Sequence, residues 1–212
     1  MTLVFIGICK NASSSLWSMI HGRNGIFKTS FGQHDTIMKR KAEIEKAKKV
    51  LVVTRHPYSR WMSMYTFLQY QPKWKGLDPD IVLDRIRIAQ MEGKLDPVGI
   101  GRTNLDIVFC PQWTWLGKTP AEAKMTLKQN KTILLDCHRL QNDMRRKVPE
   151  LKGNVRCENK TSQERRNTYN RMTTHQRQMV QAIWKEDFDL FGWDRSWFPE
   201  SGTIPDRKNL YE

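Results

Sequence analysis

Residues 50–54, VLVVT, constrain this chain more than any other stretch. An aliphatic, β-branched run without polar alternation predicts a strand covered on both faces, the setting of a parallel sheet packed between helices. The runs LVFIGI at 3–8 and KTILLD at 131–136 predict two more strands, and residues 26–31 a short fourth. Helical spacing fills the intervals. TIMKRKAEIEKAKK at 36–49, capped by Asp35, has a thin apolar side of Ile37, Ala42, Ile44 and Ala47. YSRWMSMYTFLQY carries Trp61, Tyr65 and Leu68 at i, i+4 and i+7, with Pro57 in the first turn.

Further helices are predicted over DPDIVLDRIRIAQMEG and at Leu140, Met144 and Val148. Another carries Val180, Ile183, Trp184, Phe188 and Phe191 on one face and stops at Gly192. Residues 97–104 and 152–172 lack a period and are expected to be loops. Strands alternating with helices give an α/β fold with a parallel β-sheet flanked by helices. At 212 residues the chain suits a single domain, expected over 1–194, with an irregular tail at 195–212.

The 36 Lys and Arg against 22 Asp and Glu leave a formal charge of +14, a positive field that attracts anions without choosing among them. The four cysteines, Cys9, Cys110, Cys137 and Cys157, have no zinc-ligand spacing, and free thiols in a reducing compartment are expected. Residues 3–8 are too short an apolar run for a signal peptide or a membrane span. With Met1 as the natural start, the expected location is cytoplasmic, in a bacterial or viral setting.

Two turns stand out. CKNASSS follows the first strand, and a small-residue loop between a strand and a helix presents free N–H groups and a positive dipole end to an anion. Lys10 adds charge and three serines add hydroxyls, without the glycine pattern of a Walker A loop. A capped surface helix with a solvated lysine accounts for this turn equally well. The second turn, VTRHPYSRWMSMY, offers Arg55 at a strand end, then Arg60 and Ser63 on the following helix, and an arginine fork suits phosphate. The competing possibility is that Arg60 pairs with a surface acid and Ser63 only packs.

Together, KNASSSL and VLVVTRHPYSRWMSMY resemble the paired phosphosulfate-binding motifs of sulfotransferases that use 3′-phosphoadenosine 5′-phosphosulfate (PAPS), especially the carbohydrate-type branch. The second stretch is similar to that family's Arg-x-Pro-x-x-Arg-x-x-Ser-x-Tyr pattern. FGQHDTI, FCPQWTWLG, ENKTSQ and IWKEDFDLFGW extend the resemblance in order over residues 3–193.

The resemblance implies a P-loop-like sheet and transfer of a sulfuryl group from PAPS to a hydroxyl acceptor, expected to be a carbohydrate, leaving PAP. By matched position, Lys10 contacts the 5′ phosphate and the oxygen bridging to sulfur, with Asn11, Ala12, Ser13, Ser14 and Ser15 as loop donors. Arg55 and Ser63 hold the 3′ phosphate, and Lys160 helps close over the nucleotide. Charge on the departing phosphate is met by Lys10, so that step requires no metal. A base for the acceptor hydroxyl is sought in His34, with Asp35 and Glu43 as weaker substitutes, although the surrounding GQHD is only loosely family-like.

His56 stands where relatives carry Asp or Asn and is expected to be a turn residue. His21, His138 and His175 lie beside helical patterns and are expected to be structural. Trp113 and Trp115 offer faces for a sugar, with core packing of at least one of them the competing expectation. Two other readings remain open. A P-loop nucleotide kinase is disfavoured by the absent Walker glycines and by the lack of a convincing Mg²⁺-binding aspartate after a buried strand. A non-catalytic nucleic-acid-binding surface would use residues such as Arg23, Lys28, Lys39, Arg40, Lys41, Arg145, Arg146, Arg165 and Arg166, though no nucleic-acid motif is present.

Overall fold

Among the described residues the VLVVT run lies at the centre of a three-stranded parallel sheet. The computed structural model describes residues 3–12, 16, 36–100, 105–151, 171–208 and 210–211. Its strands are β1 Leu3–Ile6, β2 Lys49–Thr54 and β3 Thr132–Asp136, in the order β1-β2-β3. Val4 pairs with Val50 across the first ladder, and Thr54 with Asp136 at the end of the second. Helices are α1 Lys41–Lys46, α2 Pro57–Leu68, α3 Pro79–Met91, α4 Pro97–Ile100, α5 Pro120–Leu127, α6 Leu140–Lys147, α7 Thr174–Ile183 and α8 Lys185–Phe191. The mixed α/β class and the parallel sheet are as expected. The short strand expected at 26–31 and most of the loop at 152–172 lie outside the described residues.

The chain forms two compact units. The first takes described residues up to 55 and 112–151 and contains the sheet. Leu51 and Val53 of β2 share one core with Leu3, Phe5, Leu16 and Leu135, covered by Leu140, Met144, Val148 and Leu151. The i, i+4, i+8 spacing of the α6 residues generates that contact, and burying each such side chain contributes about 1.5–3 kcal/mol. Asp143 of α6 accepts the Asp136 N–H at 2.8 Å, and Lys147 Nζ donates to the Leu134 carbonyl at 3.1 Å, fastening the helix to β3.

The second unit, the described residues within 56–111 and 171–210, is mainly helical. His56 caps α2 by accepting the Tyr58 N–H, and Pro57 occupies the first turn, where its missing N–H costs nothing. Trp61, Trp184, Tyr58, Phe188 and Phe191 are fully buried in this unit. Thr173 and Gln176 form a reciprocal capping box at the start of α7.

Several expectations are corrected. The helix expected over 36–49 is a 3-10 turn, Met38–Arg40, followed by α1, and it ends at Lys46 because Lys49 already enters β2. The 97–104 segment contains α4. The long helix after 174 breaks at Trp184: Gln90 Nε2 takes the Ile183 carbonyl at 2.7 Å, the acceptor a continuing helix would give to Asp187, and Asp187 N–H turns to Trp184 instead. The tail is not wholly irregular, since Trp193 bridges Arg207 and Lys208 N–H bonds the Gly192 carbonyl. Among the described residues no helix is long and apolar enough to cross a membrane.

Candidate functional site

Parallel strands deliver their loops to one edge, and ligands of open α/β sheets bind beyond the strands' carboxyl ends. In the first unit that edge carries the turn after β1, Arg55 after β2 and Asp136 at the end of β3. Lys10 and Ala12 both have left-handed backbones, φ 64° and 57°, while Asn11 between them does not. For residues other than glycine this conformation costs about 1–2 kcal/mol each. Alternation of this kind is the backbone pattern of anion-binding nests, although here the Asn11 N–H is taken by the Ile8 carbonyl. The turn is stitched by Asn11 N–H to Ile8 C=O at 3.3 Å and Leu16 N–H to Ala12 C=O at 3.1 Å.

Side chains then tie this turn to β2. Asn11, only 1% exposed, donates Nδ2 to the Val53 carbonyl at 2.9 Å and to Gln112 Oε1 at 2.6 Å. The same Gln112 oxygen accepts the Arg55 N–H at 2.9 Å, and Gln112 Nε2 returns a bond to the Arg55 carbonyl at 2.9 Å. Arg55 in turn donates Nη1 to the Lys10 carbonyl at 3.1 Å. The two turns singled out by sequence are thus brought into one frame. Asn11 Oδ1 and Thr54 Oγ1 are buried acceptors with no hydrogen-bond partner among the described residues.

Ser63 lies partly exposed on α2 in the second unit. Ser13, Ser14, Ser15, His34 and Lys160 lie outside the described residues, as does the alternative base Asp35. Arg60 corrects both sequence expectations about it: it is 1% exposed and donates Nη2 to the Val108 and Cys110 carbonyls at 2.9 Å each. Its helix face turns inward, and its Nη2 is used on main chain. Trp115 is fully buried and Trp113 half-buried.

His56 is a buried turn residue. Its Nδ1 accepts the Tyr58 N–H, which assigns the proton to Nε2, 2.8 Å from the Asp194 carbonyl. Burial lowers its pKa to about 4, against the opposing pull of the Asp194 carbonyl and carboxylate. Aromatic rings of Trp197, Tyr58, Phe188 and Trp193 surround it.

Sequence reasoning missed two residues. Gln112 is a lone amide inside an apolar and aromatic stretch, FCPQWTWLG, and that polarity was the only signal. Asp136 is a carboxylate at the end of β3, where the sequence offers no convincing Mg²⁺-binding aspartate; it is 4% exposed and its Oδ1 caps the His138 N–H at 2.8 Å. Among the described residues no group of three or more His, Cys, Asp or Glu is arranged to hold a metal ion. No protein-family profile, curated protein or solved structure matches the chain.

Proposed function

We propose that the protein is a PAPS-dependent sulfotransferase with a P-loop-like sheet, moving a sulfuryl group to a hydroxyl of a carbohydrate acceptor. One observation carries the reading: Lys10 and Arg55, at the carboxyl ends of adjacent parallel strands, are locked together by the Arg55–Lys10 bond and by Gln112. The donor set fits an anion, since it consists of two cations beside a tight turn with left-handed residues on either side of Asn11. Matched positions assign the 5′ phosphosulfate to the Lys10 turn and the 3′ phosphate to Arg55, with Ser63 and Lys160 added by resemblance.

In the transfer, the acceptor oxygen forms a bond to sulfur as the bond from sulfur to the bridging phosphate oxygen breaks. The electron pair leaves with the phosphate, and the acceptor proton goes to a base, for which His34 is the candidate. Lys10 meets charge that grows only as the reaction proceeds, so it favours the transition state over the ground state. Lysine supplies there the charge that a metal supplies in phosphoryl transfer.

A second reading, a P-loop phosphotransferase, is favoured by Asp136 alone, the position from which such enzymes hold Mg²⁺. Calorimetric titration with adenosine 3′,5′-bisphosphate in chelator, beside ATP with and without Mg²⁺, separates the two. Metal-free binding that prefers the 3′ phosphate supports the sulfotransferase. ATP binding that requires Mg²⁺ overturns it.

A further inference from the structure

We infer that Gln112 is a positioning residue that sets the spacing of the two anion-binding turns, and thereby the preference for a ligand bearing two separated phosphates over one bearing a single phosphate. The identity of that ligand rests on the sulfotransferase reading; the bracing does not.

The argument begins with the ladder. The pairing of β2 with β3 ends at Thr54 and Asp136, so Arg55 is the first residue beyond it. Gln112 supplies the missing neighbour, because its amide accepts the Arg55 N–H and donates to the Arg55 C=O, as the peptide of an adjacent strand would. Arg55 is therefore held as though β2 continued by one residue, which fixes the origin of its guanidinium. Gln112 is bonded both to the Asn11 side chain and to the Arg55 main chain.

The orientation of the amide is determined by its partners. Both Asn11 Nδ2 hydrogens are spent, one on Val53 C=O and one on Gln112 Oε1. Turning Gln112 over would set its NH₂ against two donors, Asn11 Nδ2 and Arg55 N–H, and its oxygen against the Arg55 carbonyl. At 0% exposure, water cannot replace these bonds when the amide is lost. The Lys10 turn keeps its own main-chain bonds without Gln112, whereas the Arg55 main chain loses both of the bonds that Gln112 makes. Loss of the amide therefore falls mainly on the Arg55 side of the frame, where the second phosphate is assigned.

The test uses the full chain, with Gln112→Met, similar in volume but unable to bond, and Gln112→Asn, which keeps an amide too short to span. The second variant serves if the first does not fold. Calorimetry with adenosine 3′,5′-bisphosphate and with AMP is run beside hydrogen exchange at the Arg55 amide. Expected is at least a tenfold loss of bisphosphate affinity, less than a threefold change for AMP, and at least tenfold faster Arg55 exchange. An unchanged bisphosphate-to-AMP preference in the variants overturns the inference. If the wild-type chain shows no such preference, the sulfotransferase reading falls and the exchange arm decides alone: unchanged Arg55 exchange overturns the bracing role, and faster exchange upholds it.

Discussion

Arg55 donates its Nη1 hydrogen to the main-chain carbonyl of Lys10 across 3.1 Å, so the cation that follows β2 also steadies the turn that follows β1. The geometry predicts separable losses. Arg55→Ala should weaken binding of adenosine 3′,5′-bisphosphate by about 2–3 kcal/mol, the scale of a charge-assisted hydrogen bond. Arg55→Lys should recover only part of this, because an ammonium cannot serve a phosphate and the Lys10 carbonyl with the same fork.

If the sulfotransferase reading holds, Lys10→Ala should reduce kcat more than affinity, since its charge would then meet the departing phosphate. Steady-state kinetics with a sugar acceptor, beside calorimetry, separates the two effects. Small and equal changes in both variants would remove the site assignment.

His56 predicts an acid-sensitive fold. Burial lowers its native pKa to about 4, while the unfolded chain titrates near 6.5. Between these values the unfolded state binds the extra proton, so stability is full above pH 6.5 and declines as pH falls toward 4. The total is about 3 kcal/mol. Urea denaturation across this range should show the slope, and His56→Asn, which still accepts the Tyr58 N–H, should flatten it.

Arg60→Met should destabilise the protein by about 3 kcal/mol, because the Val108 and Cys110 carbonyls lose a buried cationic donor. Chemical denaturation measures this directly. A loss under 1 kcal/mol would show that the buried guanidinium matters little to the fold.

Gly192→Ala should cost roughly 2–3 kcal/mol. Its φ of 69° strains any side chain, and an added Cβ would lie 2.6 Å from the Lys208 carbonyl oxygen. A melting temperature matching wild type would contradict the close approach of the tail to the end of α8.

The strands were legible because β2 and β3 are bounded apolar runs; burial of β2 on both faces requires that composition, while β3 is half-buried over its first three residues. The break at Trp184 was not, because apolar periodicity continues through it. The group that ends the helix is Gln90, 93 residues earlier. Lys10 and Arg55 were legible as cations at strand ends, but Arg60, from the same motif, points inward, and charge alone does not reveal which way a helix faces. Gln112 was illegible for a related reason: its role consists of partners 57 and 101 residues away. Asp136 was visible as the last residue of a strand run, but its burial and its cap on the His138 N–H depend on the fold and are not written in the run itself.

That separation also orders assembly in time. During synthesis both cationic turns leave the ribosome well before Gln112 and before β3, so the early chain carries the charges without the frame that spaces them. Contacts of such long range are late and slow to form. A nascent chain halted before residue 112 would carry both cations without the amide that braces Arg55, so any ligand preference set by that brace would begin only when the middle of the chain arrives.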